Sequence, residues 1–310
     1  MLDNIILKQL ITEQQYTQLL NTLRSLNTVS HIEFENTGII VTKTTYKDCF
    51  FKLTPNYLSV SLSLSKLLLG TNQINVTRKD TALALLKLQD ILGIDISTAK
   101  VSRIDIAYNI LMDQPVETYL KLLCSKDKMK RWSIGHDTLY FTNKNKGLKL
   151  SFYNKTTQLN DTKQPVLPEN STKNVMRYEI SLTSRAIKKL GYPEITCATL
   201  IDEAFYQSLI ETWYNEYKTI IKLSYSDATN YGKNLSEFKE YLMMAGIEKI
   251  GAPAVFDIVD AHPVFKLSSK VKYNVKRMLK KLIVNNVHFN ANDGLEEMDD
   301  KMLAILQNAA

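Results

Sequence analysis

A chain of 310 residues is long enough for one large domain or two ordinary ones. Its hydrophobic fraction of 45% is ordinary, and no run nears the ~18 apolar residues of a membrane span, so no transmembrane helix is expected. The net charge of +7 points to an anionic partner, and the scattered Cys49, Cys124 and Cys197 make neither a metal pattern nor a disulfide set, which fits a reducing cytoplasm.

The N-terminal stretch MLDNIILKQLITEQQYTQLL lacks the basic start of a secretory signal. Its apolar spacing (Ile5, Ile6, Leu10, then Leu19, Leu20, Leu23) predicts an amphipathic helix. From His31 to Leu64 the runs HIEFEN, GIIVTKTTY, CFFKL and YLSVSLSLS predict strands broken by polar turns. In the last run Leu58, Val60, Leu62 and Leu64 share one face. KLLLGTNQ follows and lacks the lysine spacing of a phosphate-binding loop. Asp80 predicts the N-cap of the helix TALALLKLQDIL, which Gly93 ends.

VSRIDIAYNI is the next strand, with Arg103, Asp105, Ala107 and Asn109 on one face. A helix is expected over 116–126, then a basic patch, KDKMKRW, and a strand, DTLYFTN. The turn 143–147 makes a hairpin with LKLSFYNK, where Leu148, Leu150 and Phe152 alternate with Lys149, Ser151 and Tyr153. Tyr153 leaves on the polar side, and Lys155 is expected to face the same way. A polar loop over 160–174 delivers the strand VMRYEISL, with Arg177 and Glu179 on one face. Helices follow around 185–190 and 200–222. Residues 224–234 read as a linker, and the remainder as helices, one of them basic, ending in an acidic tail with Glu296, Glu297, Asp299 and Asp300. The fold class is therefore α+β: a largely antiparallel central sheet with helices on one face, over 1–225, and a small helical domain over 226–310.

Three strands thus pair an apolar face with chemically selective polar residues. Each alone is an ordinary solvated sheet face. Together they offer two carboxylates, two arginines, a lysine and a tyrosine. Adjacent strands lie ~4.8 Å apart, so carboxylates on neighbours can clamp one hard divalent cation. A phenol titrates near ~10, and a nearby cation favours the phenolate. Such a set suits phosphoryl transfer through a covalent phosphotyrosine.

SRIDIAYN, SFYNK and RYEISLTSR, in that order, resemble the rolling-circle replication initiators of filamentous phages, the gene II/X replication proteins, and the related Rep-trans plasmid initiators. The likeness runs from LSLSKLLLGTN to KKLGYPEI. It implies an RRM-like, HUH-related nicking core. It implies Tyr153 as the nicking nucleophile, Asp105 and Glu179 in a Mg²⁺ or Mn²⁺ site, and Lys155 and Arg177 in support. Asn109 stands where plasmid relatives often carry a second acid. Four strand residues span ~13 Å, so Asn109 reads as a substrate contact or weak ligand. No His-hydrophobe-His pair is present, although His136 precedes the Tyr153 hairpin. Tyr206, Tyr214 and Tyr217 are rival nucleophiles whose helical spacing beside Trp213 speaks for packing.

Arg103, Lys149, Lys270, Lys276, Arg277 and Lys280 are the candidate DNA contacts, the last four on the basic helix. The expected activity is strand-specific nicking and rejoining of origin DNA, single-stranded or supercoiled. A host helicase is the further partner, since no ATP motif is present; no membrane and no small-molecule cofactor are expected. A relaxase for mobile-element transfer and a catalytically inactive origin-binding protein are the alternatives.

Overall fold

The computed structural model describes residues 1–34, 39–145, 147–222, 235–263, 268–285 and 293–308. The linker expected at 224–234 lies outside the described residues. The strands, in chain order, are β1 (Leu2–Leu10), β2 (Ser30–Phe34), β3 (Ile39–Tyr46), β4 (Cys49–Thr54), β5 (Tyr57–Ser63), β6 (Lys100–Met112), β7 (Leu123–Lys126), β8 (Met129–Ile134), β9 (Thr138–Asn143), β10 (Leu148–Asn154), β11 (Asn174–Thr183) and β12 (Ile220–Lys222). Ten of them form one sheet in the order β2-β3-β4-β5-β1-β6-β11-β10-β9-β8, and β12 pairs with β7. Every pairing is antiparallel. The fold is α+β, as the alternating runs predict.

One face of the sheet is apolar and covered. Helices α1 (Glu13–Leu26), α2 (Leu64–Leu69), α3 (Arg78–Leu92) and α4 (Val116–Leu122) pack on it. After the short α5 (Lys155–Asp161), α6 (Ser184–Ile187) and α7 (Cys197–Ile201), α8 (Glu203–Lys218) completes the layer. Phe152 and Tyr178 stack at 4.2 Å, and Trp213 of α8 lies 4.8 Å from Tyr178. The Tyr178 hydroxyl donates to the Trp213 carbonyl. These contacts fix α8 beneath β10 and β11. All three cysteines are buried.

Several boundaries differ from the sequence expectation. Residues 2–10 form a central strand, not a helix. A bulge between Leu2 and Ile5 spaces those two core residues by three, while Ile5 and Leu7 keep the strand period; Leu10, which the helical reading counted as apolar face, is exposed. The helix begins only at Glu13, behind a Thr12 capping box. Thr77, not Asp80, is the N-cap of α3; Asp80 reaches back as the third residue of its capping box. Ser63 caps α2 and ends β5 one residue before Leu64. α4 stops at Leu122, and the basic patch becomes the β7–β8 hairpin.

The helices α9 (Leu235–Ile250), α10 (Ala252–Ala261) and α11 (Ser269–Asn285) share a second core. Met244, Ile247, Phe256, Val259, Leu279 and Ile283 meet there around Cys124 of β7. The acidic tail is a helix, α12 (Asp293–Asn308), that returns to the first core with Met298 and Met302 fully buried. Its Glu297 accepts from the Tyr119 hydroxyl, and its Asp299 pairs with Lys222 and Tyr217. No described helix is long and apolar enough to cross a membrane.

Candidate nicking site on the open sheet face

Strand register arranges the opposite face into rows. One row runs Ile134, Thr138, Tyr153, Arg177, Asn109 across β8, β9, β10, β11 and β6. The next runs Trp132, Tyr140, Ser151, Glu179, Ala107, and a third runs Lys130, Thr142, Lys149, Ser181, Asp105. Tyr153, Arg177, Glu179, Asp105, Asn109, Arg103 and Lys149 therefore share one face. The expected constellation is brought together, with one displacement. Lys155 is not on the strand: Asn154 caps α5 through its side chain and turns the chain, so Lys155 starts that helix.

Lys155 nevertheless reaches the site. It is 2% exposed, and its Nζ donates to Asn72 Oδ1 at 2.9 Å and Gln158 Oε1 at 2.8 Å. Burial, reinforced by the Arg177 charge, pushes its pKa down to about 7. Asn72 belongs to the segment between α2 and α3 that roofs this end of the face. Asn109 Nδ2 donates to the carbonyls of Asn72 and Gln73, and Asn109 Oδ1 accepts from Arg177 at 2.9 Å. The Asn109 amide is thus committed to the roof and to Arg177.

Arg177 is 3% exposed and sits at the charge centre. Its guanidinium pairs with Asp3 of β1 and lies 3.7 Å from Glu179 Oε2. Asp3, which the sequence reading missed, also accepts from Ser63 and Ser65 at 2.7 and 3.0 Å. The one signal for it was an acid inside an otherwise apolar run. Burial raises the Tyr153 pKa above the ordinary phenol value, and Arg177 only partly opposes this. Tyr153 is therefore a neutral phenol at neutral pH.

Asp105 is fully buried, and Arg103 grips both its oxygens at 2.8 and 2.7 Å. Glu179 is held above the ordinary carboxylate range by burial and by the like charges of Asp105 and Asp3, against the opposing pull of Arg177 and Lys149. Its cross-strand neighbour Ser151 is buried with its hydroxyl unpartnered. Among the described residues, no group of three or more histidine, cysteine, aspartate or glutamate side chains could hold a metal. Glu179 and Asp105, hard carboxylates on adjacent strands, are the residues here that could hold a hard divalent cation, Asp105 only in exchange for its contacts with Arg103.

The rival tyrosines lie across the sheet. Tyr206 and Tyr217 are buried in the α8 layer, and the Tyr217 hydroxyl is bonded to Asp299. His136 sits exposed in the β8–β9 turn. On α11, Lys276 and Lys280 line a cleft facing β7 and β8, whereas Lys270 and Arg277 are exposed outside it.

Residues 10–208 match the Phage CRI family, described as the N-terminal region of the phage replication-associated protein. No curated protein matches the chain. Among solved structures, a rolling circle replication initiator protein from Geobacillus stearothermophilus is similar at 11% identity, over 76% of this chain and 89% of that one, with a TM-score of 0.42.

Proposed function

As the chain belongs to the Phage CRI family of replication-associated proteins, we propose that it starts rolling-circle replication by nicking one DNA strand at an origin through Tyr153. The observation that carries this reading is the cross-strand pair Tyr153–Arg177 on the sheet face opposite the helix layer, beside Glu179 and Asp105. The Tyr153 oxygen would bond to the scissile phosphorus as the bond to the 3′ oxygen breaks. The phenolic proton passes to solvent during attack, because a phenol is protonated at neutral pH and burial holds its proton more tightly still. The departing 3′ oxygen gains a proton and becomes a 3′-hydroxyl primer, while the 5′ phosphate stays on Tyr153. Attack by a 3′-hydroxyl on that link reverses the step and rejoins the strand.

Arg177, locked by Asp3 and Asn109, would orient charge at the phosphate without a reorganisation cost. Asp105 and Glu179 would hold a divalent cation, which when bound offsets charge developing on the phosphate oxygens. Arg103 would meet the phosphate from the row beyond Asp105.

The test is a covalent-trapping assay with single-stranded origin oligonucleotides. Wild type should form a protein–DNA adduct that Tyr153→Phe, which keeps the ring and the fold, does not form. An adduct of equal yield in that variant would move the nucleophile elsewhere. DNA binding without any adduct from the wild type would leave an origin-binding protein.

A further inference from the structure

We propose that Trp132, Tyr140 and Ile134 form a stacking platform for single-stranded DNA flanking the scissile phosphate; this rests on the reading of Tyr153 as the nicking residue. All three lie on the open face of β8 and β9, in the two rows that contain Tyr153 and Ser151. Two strand spacings, ~10 Å, separate β8 from β10. The platform is thus continuous with the nucleophile.

Its exposure is hard to explain as sheet packing. Trp132 is 39% exposed and Ile134 57%, on an edge strand, where large apolar residues invite pairing with other chains. The hairpin needs neither for its anchorage, because Leu139 and Phe141 are buried on its opposite face. The rings of Trp132 and Tyr140 stack at 4.2 Å with an interplanar angle of 25°, which leaves the indole's outer face available. Lys149 Nζ lies 5.4 Å from the Tyr140 centroid, and Lys130 occupies the same row as Lys149. Aromatic faces beside a row of lysines suit unpaired bases on a phosphate backbone. A duplex would present no free base faces to them, so the occupant is single-stranded.

The chain has two tryptophans, and Trp213 is fully buried, so a fluorescence change on adding DNA reports on Trp132. The probe is a mixed-sequence single-stranded oligonucleotide titrated into the Tyr153→Phe variant, which binds without cleaving. Quenching is expected. Adding Trp132→Ala should weaken binding about 5- to 150-fold, the range for loss of one stacked base. Trp132→Tyr should restore affinity to within about threefold. An abasic strand of equal length should give no quenching and show no cost from Trp132→Ala.

Unchanged affinity in Trp132→Ala would overturn the platform, as would quenching by the abasic strand. Emission that depends on protein concentration and ignores DNA would overturn it in favour of a protein contact. The covalent-trapping assay separates the two readings. Adduct formation with no effect of Trp132→Ala removes the platform alone, whereas quenching and weakened binding without any adduct remove the nicking step alone.

Discussion

At Lys155 a buried ammonium is held near its titration point. The unfolded side chain titrates near ~10.4, the folded one at about 7. The folded chain thus binds this proton less tightly than the unfolded chain. Above both values the group costs nothing; as pH falls from ~10.4 towards 7 the unfolded chain protonates first and stability drops; below 7 the full cost remains. Lys155→Met should therefore stabilise the fold at pH 7 by about 1–3 kcal/mol, since orphaning the Asn72 and Gln158 oxygens offsets part of the gain. The gain should fade and reverse towards pH 10, while nicking is lost. Urea unfolding across that range checks it, and a flat difference would mean that Lys155 is not strained. Glu179 gives a second measurement of this kind. Its folded pKa is raised, so its charge costs stability above the unfolded carboxylate value. Glu179→Gln should melt higher than wild type without metal. Mn²⁺ should raise the melting temperature of wild type and leave that of the variant unmoved.

The strand elements were legible because alternation survived in them: β6, β10 and β11 carry the candidate residues on the faces that their sequences predict. β1 was not, because its bulge erases the period of two, and Asp3 was hidden with it. Lys155 was misread because an Asn cap, not the strand pattern, decides the turn after Tyr153. The roof was invisible for another reason. Asn72 and Gln73 act through backbone carbonyls and Asn75 through its side-chain amide, all meeting Asn109 only across a long sequence separation. The Asn109 side chain is where strand and roof are joined, which bears on the acid that plasmid relatives often carry there. Asn109→Asp would exchange two donated hydrogen bonds for repulsion against the same carbonyls. It should destabilise the fold by about 2–3 kcal/mol rather than build a metal ligand. Denaturant midpoints with and without Mn²⁺ decide between them: a stable variant with a larger metal response would favour the ligand role.

At the scale of the whole molecule, the open sheet face ends at β8, where a second feature begins. A cleft of about 670 Å³ separates the β7–β8 hairpin from α10 and α11. Lys126, Lys130, Arg131, Lys272, Lys276 and Lys280 line it, with Asp257 and Asp260 as the opposing charges. Asp260 is shared by Lys272 and Lys276, Lys126 is turned inward to Glu216, and Arg131 donates to the Leu123 carbonyl. Lys130 and Lys280 are then the cations best suited to external phosphates. Lys130 belongs both to the cleft and to the row of Lys149 and Asp105, so one DNA chain could follow the sheet and continue into the cleft. Cutting the chain after Lys222 would also remove Met298 and Met302 from the first core. Single charge removals are cleaner. Each phosphate contact to a single strand contributes a slope of about 0.7 to the logarithmic dependence of affinity on salt. Lys280→Gln should lower that slope by about one contact for single-stranded DNA, and Lys130→Gln should do the same. Lys270→Gln, on the exposed side of α11, should leave it unchanged. Equal slopes in all three variants would make the cleft a solvated seam between two cores, with the sheet face alone holding the DNA.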